Sequence, residues 1–300
     1  MKLGFKTMFY SKEFRFRILD LFSWVPDKQW LKLLYRLKNG YWMDFSNPKT
    51  FGEKIQWLKI YGYKSDFIKM VDKYSVKEYV SEKIGKEYVI PTLGVWNKPE
   101  VIEWNKLPQK FVLKTTHGGG SCGVVICNDK DTLDKKNAVK ELNVSMGFSA
   151  GNSFREHPYM GVKKRVIAEE FLDTDGDSEL CDYKFYCFNG EPKYCQVIRD
   201  RKTKETIDFY DMDWNHMPFV GLNPGVPNGM TPVKCPDNID DMKRICKQLA
   251  KDIPFVRIDL YEVKGKVYFG EITFYPASGF GTFTPSEWNL KLGDMICLNK

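Results

Sequence analysis

Residues 257–280 read RIDLYEVKGKVYFGEITFYPASGF, two alternating apolar runs around Lys264-Gly265-Lys266, and each run holds one carboxylate. A three-residue hairpin loop over 264–266, with Gly265 or its neighbour left-handed, predicts that Val263 pairs with Val267. Counting back along that ladder sets Asp259 opposite Glu271 and Arg257 opposite Thr273, and residues two apart share a face. Opposed β-carbons lie roughly 5 Å apart, where two carboxylates repel unless a cation lies between them. The same face is expected to carry Phe255, Tyr261, Val263, Val267 and Phe269, and the other Val256, Ile258, Leu260, Ile272 and Phe274. A sheet covered on both sides needs compensation for buried charge, which otherwise costs several kcal/mol or neutralises itself. Arg257 supplies one form, a salt bridge. A hard, oxygen-seeking cation such as Mg2+ supplies another. The plain alternative is a solvated hairpin face.

Three hundred residues at 43% hydrophobic content are enough for one large domain or two to three small ones with proper cores. No apolar run reaches the roughly 18 residues of a spanning helix, and LDLFSWV lacks a small-residue cleavage site, so cytoplasmic residence is expected. The eight cysteines form no CxxC pair and only three histidines are present, which argues for reduced, mostly buried thiols over a zinc site or a disulfide scaffold. Residues 1–40 hold nine Lys/Arg against three acids, nearly all of the chain's net charge of +7. Interleaved Phe5, Phe9, Phe14, Phe16, Phe22, Trp24 and Trp30 give this arm the character of a segment that meets an anionic membrane surface, peripherally at the inner face, or a polyanionic glycan. An ordinary amphipathic helical hairpin with a basic outer face is the other reading. No nucleic-acid motif accompanies the charge.

Beyond the arm, Thr50 and Glu53 have the spacing of a capping box, and a second helix is expected up to Gly85. Short strand-like runs follow, YVIPTLGVW, KFVLKTT, GVVICN, KRVIAEEFL, DYKFYCFNG and EPKYCQVIRD, with helical patterns at 131–147 and 237–251. The class is α+β, built of antiparallel hairpins, and the 220s read as loop. Between two of these strands, FVLKTTHGGGSCGVVIC (111–127) places Gly118, Gly119, Gly120 and Ser121 in a glycine-rich turn. Such a turn lets backbone N–H groups approach phosphate oxygens, and Lys114 adds a point charge. It lacks the Gly-Lys-Ser/Thr of a helix-anchored phosphate loop, so it reads as a flexible hairpin lid or, without a ligand, as a mobile hairpin.

The order of these pieces resembles the ATP-grasp superfamily: Lys73 in VDKYSV, Lys114, VIAEEFL, DYKFYCFNGEP, Arg199, then Asp259 with Glu271. NPKTFGEKIQWLK, VDKYSVKEYV, VLKTTHGGGS, DYKFYCFNGEP and GEITFYPASGF are similar to motifs of the TupA-like ATP-grasp family, named for teichuronopeptide synthesis, from about residue 45 onward. The resemblance implies two α+β subdomains clasping ATP behind a basic helical N-terminal arm. It divides the chain into the arm at 1–45, an N-terminal subdomain at 46–110, a lid subdomain at 111–172 and a C-terminal subdomain with the metal site at 173–300. It also implies that Lys73 and Lys114 bind phosphates, that Glu169, Glu170, Phe171 and Leu172 line adenine, and that Asp259 and Glu271 hold Mg2+. Thr273 stands where the superfamily usually has Asn, as the family's own form of the motif.

The implied reaction is activation of a carboxylate by Mg-ATP and its capture by an amine. Lys184, Arg199 and Arg257 are the candidate catalytic cations for the phosphoryl charge. Lys184 as a surface residue and Arg199 in a salt bridge with Asp200 or Asp208 are the structural alternatives. The family setting implies a hexuronic acid of a surface polysaccharide or its precursor as carboxylate, with an amino acid or amine as nucleophile. Acceptor loops are expected at 147–163 and 200–233, with Arg155, Lys163, Lys164, Arg165, Arg201 and Lys202 as candidate anion holders. A glycan kinase and a non-catalytic nucleotide-binding module are the competing functions.

Overall fold

The computed structural model describes residues 18–119, 122–147, 150–174, 180–199, 204–223 and 225–298. Its contacts divide the chain into a unit made of Met1–Leu33, Tyr63–Val76 and Ile90–Phe171, and a unit made of Leu34–Gly62, Lys77–Val89 and Leu172–Lys300. Every ladder between named strands is antiparallel.

The first unit holds β1 (Thr92–Trp96), β2 (Phe111–Thr115), β3 (Val124–Cys127) and β4 (Val166–Glu170), in the order β1-β4-β2-β3. Alternation along β2 buries Phe111 and Leu113 with Val125, Val166, Ala138 and Leu142, the last two on helix Lys135–Met146. Asp134 caps that helix by accepting from Asn137 N. The alternate residues of β2, Val112 and Lys114, therefore lie on the opposite face of the sheet, in register with Glu169 and Ile167 of β4.

The second unit holds β5 (Asp182–Phe188), β6 (Glu191–Arg199), β7 (Thr206–Asp211), β8 (Val220–Gly221), β9 (Phe255–Val263), β10 (Lys266–Thr273) and β11 (Phe283–Thr284). Its main sheet runs β10-β9-β5-β6-β7, and β8 pairs with β11. β7 and β8 lie within 200–233, where only loop is expected; β8 has two residues, and β7, its apolar run interrupted by Asp208, is held by its ladder to β6. Helix Ile239–Ala250 packs on β5, β6 and β9. On the other side, Phe51 of helix Phe51–Tyr61 meets Tyr186, Phe255 and Phe283 at 4.9–6.5 Å between ring centroids. The expected capping box starts that helix: Glu53 N donates to Thr50 Oγ1 at 3.3 Å and Thr50 N to Glu53 Oε2 at 2.9 Å. With both faces covered, polar groups in the middle strands must be satisfied by each other.

The β9–β10 hairpin corrects the expected register. Its loop has two residues, not three: Lys264 and Gly265 both adopt positive φ, 53° and 71°, and Val263 pairs with Lys266. Two left-handed residues make the turn whose twist matches the flanking strands. A bulge at Gly270 then shifts the ladder back by one residue, so Asp259 faces Glu271 and Arg257 faces Thr273 after all. A side chain at Gly270 would come within 2.9 Å of the Tyr261 ring and 3.0 Å of the Asp259 carbonyl, which is why glycine serves there. Val267 and Phe269, expected on the carboxylate face, are opposite Glu262 and Leu260 and point away from it.

Candidate functional site

The period of two in β5 and β9 gathers Asp182, Lys184 and Tyr186 with Arg257 and Asp259 on one face of the second unit's sheet, Lys184 directly opposite Asp259. Glu271 and Thr273 join them from β10. The result is a nearly dry cluster of alternating charge. Lys184 Nζ donates to Asp259 Oδ2 and lies 2.7 Å from Asp182 Oδ2. Arg257 Nε donates to Asp259 Oδ1 at 2.7 Å. A single nitrogen, Arg257 Nη2, donates to Asp259 Oδ2 at 2.8 Å, Glu271 Oε1 at 2.8 Å and Thr273 Oγ1 at 3.1 Å.

Asp259 is 1% exposed, whereas the Glu271 side chain keeps 31% of its surface. Burial pushes the Asp259 carboxyl above its ordinary value, and Arg257 and Lys184 pull it back. For Lys184 burial works downward, but Asp182 and Asp259 outweigh it and hold the ammonium above its usual range. Three carboxylates face two cations here, a residual charge of minus one.

Among the described residues no group of three or more His, Cys, Asp or Glu is arranged to hold a metal ion. The oxygens of Asp259, Glu271 and Thr273 nevertheless converge on one cationic nitrogen, they are all hard donors, and the local charge is negative. Mg2+ suits that donor set and would compete with Arg257 for the same three atoms.

Arg199 does not share this face. β6 places Gln196 opposite Lys184 and Val197 opposite Tyr183, so Arg199 and its neighbour in the next strand, Asp208, project on the other side. There Arg199 Nη2 donates to Asp208 Oδ2 at 3.1 Å and to Thr231 O at 2.7 Å. The buried Asp208 also accepts from His216 Nε2 at 2.9 Å and Gly229 N at 3.1 Å. This is one of the two ion pairs the sequence offered for Arg199.

In the first unit, Lys73 Nζ donates to the Gly118 carbonyl and Lys73 N to Thr116 O at 3.1 Å, so this lysine sits at the root of the glycine turn. Lys114 lies 2.6 Å from Glu169 Oε2, on the sheet face opposite the helix. Glu170 is exposed, and Lys110 lies over the Phe171 ring at 5.7 Å. Leu172, half-buried, begins the last segment of the second unit. A side chain at Gly118 would strike Thr115 Oγ1 at 2.4 Å, and one at Gly123, whose φ is +73°, would strike Ser145 Oγ and Thr115 Oγ1 at 2.3 Å. Gly119 faces open space. The root of the turn is thus packed on the Thr115–Ser145 hydroxyl pair, 2.8 Å apart, whereas Gly119 has room for a side chain. Gly120 and Ser121 lie outside the described residues, as do Arg201 and Lys202.

The side chains of three of the other anion-holding candidates have internal partners. Arg155 is 2% exposed and holds backbone carbonyls, Arg165 Nη2 donates to Asp72 Oδ2 at 2.6 Å, and Lys164 Nζ donates to Met146 O at 2.9 Å. Lys163 is exposed, and its carbonyl accepts from Thr116 Oγ1 at 2.8 Å. Asp182 was not singled out in the sequence. Its signal is the D-x-K-x-Y alternation of 182–186, which sets three polar groups on one face of an otherwise apolar strand.

The sequence profile described as TupA-like ATPgrasp matches residues 53–297. The chain belongs to the TupA-like ATP-grasp family. No curated protein matches it. Among solved structures, this family member is similar to D-alanine–D-alanine ligase from Helicobacter pylori at 15% identity and a TM-score of 0.45, over 82% of this chain and 69% of that one. It is similar to D-alanine–D-alanine ligase from Bacillus anthracis at 16% identity and a TM-score of 0.40, over 76% and 61%. Phosphoribosylamine–glycine ligase from Thermotoga maritima gives 17% identity and a TM-score of 0.41, over 69% of this chain and 48% of that one. The TupA-like chain thus spans less than two thirds of the length of the last two.

Proposed function

We propose that the protein is an ATP-dependent carboxylate–amine ligase. The observation that carries this reading is the convergence of Asp259, Glu271 and Thr273 oxygens on one cationic point beside the buried Lys184, in a member of an ATP-grasp family. In this reading Asp259, Glu271 and Thr273 hold Mg2+, which neutralises phosphate charge when ATP is bound. Lys73 and Lys114 contact phosphates, the backbone of 118–121 closes over them, and Glu169 to Leu172 border the adenine. Lys184 and Arg257 stabilise charge on the transferred phosphoryl group. Arg199, paired with Asp208 on the other face of its sheet, is left out of this reading.

The γ-phosphoryl group passes to a substrate carboxylate oxygen and ADP leaves. An amine then attacks the acyl carbon, phosphate departs with the carbon–oxygen bond, and the amine loses a proton to leave an amide. Excluding water from the acyl phosphate is the task of the glycine lid. We place the carboxylate on a hexuronic acid of a surface polysaccharide or its precursor, following the family resemblance, with an amino acid or amine as acceptor. The net charge of residues 1–40 supports work at an anionic surface.

Incubation with Mg-ATP, hydroxylamine and a panel of uronic-acid glycans tests the chemistry, because hydroxylamine traps an acyl phosphate as a hydroxamate whatever the natural amine is. A hydroxamate with ADP supports the ligase. A stable phosphomonoester on the glycan makes the protein a kinase, and absence of ADP with every acceptor makes it a binding module.

A further inference from the structure

Among the described residues seventeen large hydrophobic side chains are exposed, and eight of them fall between residues 18 and 42. Five lie in the first unit: Ile18, Leu21, Phe22, Trp24 and Leu33. Leu21 and Trp24 stand out at 72% and 77% exposure. They sit on a run of tight turns, with Leu21 N donating to Ile18 O and Val25 N to Phe22 O.

Buried side chains bond this turn from below. Arg155, itself 2% exposed, donates from Nη2 to Phe22 O at 2.8 Å and Val25 O at 3.2 Å, and its Nε lies 2.8 Å from Asp27 Oδ1. Ser153 Oγ donates to Asp20 Oδ1 at 2.7 Å, and the buried Trp30 donates from Nε1 to Ser153 O at 2.9 Å. Phe22 stacks on Trp30 at 5.1 Å. A buried arginine thus fixes the carbonyls of a turn whose largest apolar side chains face water. The exposed Lys28 and half-buried Lys32 follow it in the chain, and five more Lys/Arg precede it within residues 1–17. The second unit begins with the same mixture, exposed Leu37, Tyr41 and Trp42 with Arg36 and Lys38.

We propose that the 18–25 turn is an interfacial wedge for an anionic lipid bilayer. Leu21 and Trp24 enter the boundary between headgroups and acyl chains, while the neighbouring lysines meet lipid phosphates. The inference rests on the reading that the N-terminal arm meets an anionic surface and specifies how it does so. Charge complementarity decides the occupant. A second copy would bring like-charged segments together, nine basic residues against three acidic in each stretch 1–40. A soluble polyanionic glycan matches the lysines but offers no apolar phase for Leu21 and Trp24.

The test is co-sedimentation of the full chain with phosphatidylcholine vesicles, with and without phosphatidylglycerol, at low and raised salt. Wild type is expected to bind only the anionic vesicles. Trp24→Ser should weaken binding roughly tenfold at either salt, by loss of apolar burial. Lys28→Gln with Lys32→Gln should weaken it by a similar factor at low salt only, because salt screens the charges. Brominated lipid should quench wild-type tryptophan fluorescence more than that of Trp24→Phe. Unchanged thermal midpoints show that each variant folds. Loss of binding in the lysine variant with none in Trp24→Ser would overturn the wedge and leave a purely electrostatic contact. Sedimentation with polygalacturonate but not vesicles would overturn the lipid, and binding to neither would overturn the anionic-surface reading too. None of these outcomes depends on the ATP chemistry.

Discussion

Removing the Lys184 ammonium and removing the Asp259 charge should have very different effects on stability, although both residues belong to one cluster. In Lys184→Met the chain volume is nearly kept, but Asp182 and Asp259 each lose a contact to Nζ and the residual charge of the five groups moves from minus one to minus two. Both carboxylates are at most 7% exposed, so water cannot replace the lost cation. Breaking a buried ion pair from one side costs about 3–5 kcal/mol. In Asp259→Asn the residual charge falls to zero; Lys184 keeps Asp182 at 2.7 Å and Arg257 keeps Glu271 at 2.8 Å. Three charge-assisted contacts are weakened but no carboxylate is stranded, and a loss of about 1–2 kcal/mol is expected. The assay is urea unfolding followed by tryptophan fluorescence, Trp214 and Trp288 both lying in the second unit. With an m-value of about 2–3 kcal/mol/M, the Lys184→Met midpoint should fall by roughly 1–2 M and the Asp259→Asn midpoint by less than about 1 M. An Asp259→Asn protein as destabilised as Lys184→Met would refute the charge accounting.

Although it folds, Asp259→Asn should lose about a hundredfold or more in magnesium-dependent ADP formation; an unchanged magnesium dependence would remove Asp259 from the metal site. Gly123→Ala, with φ +73° and two hydroxyl oxygens 2.3 Å from the new methyl group, should cost about 1–3 kcal/mol in thermal melts and raise the KM for ATP. Gly119→Ala, in open space, should change stability by no more than about 0.5 kcal/mol. Burial pushes the Cys195 and Cys246 thiols well above their ordinary value, so their thiolates form only at higher pH than that of a free cysteine. Iodoacetamide at pH 8 should label the exposed Cys297 long before either, and mass spectrometry showing early label on Cys195 or Cys246 would contradict that.

Local rules of the chain were enough for several features. Alternation alone set Arg257 with Asp259 on one face of β9 and Glu271 with Thr273 on one face of β10, and the Thr50–Glu53 spacing alone started a helix, because both depend on neighbours a few residues apart. The hairpin shows the limit of such reasoning: a loop one residue too long and a missed bulge at Gly270 cancelled, so the right pairing was reached through a wrong register. Only the tertiary structure brought Lys184 across to Asp259, since β5 and β9 are joined by a ladder between residues 75 positions apart. It also sent Arg199 to the far face with Asp208 and drew Arg155 beneath the 18–25 turn, where a candidate anion holder became an internal clamp. A charged side chain in a sequence states what it can bind. Its partner is chosen by whichever opposite charge or carbonyl the strand order and burial place within reach, and at these distances that choice outweighs anything written nearby in the chain.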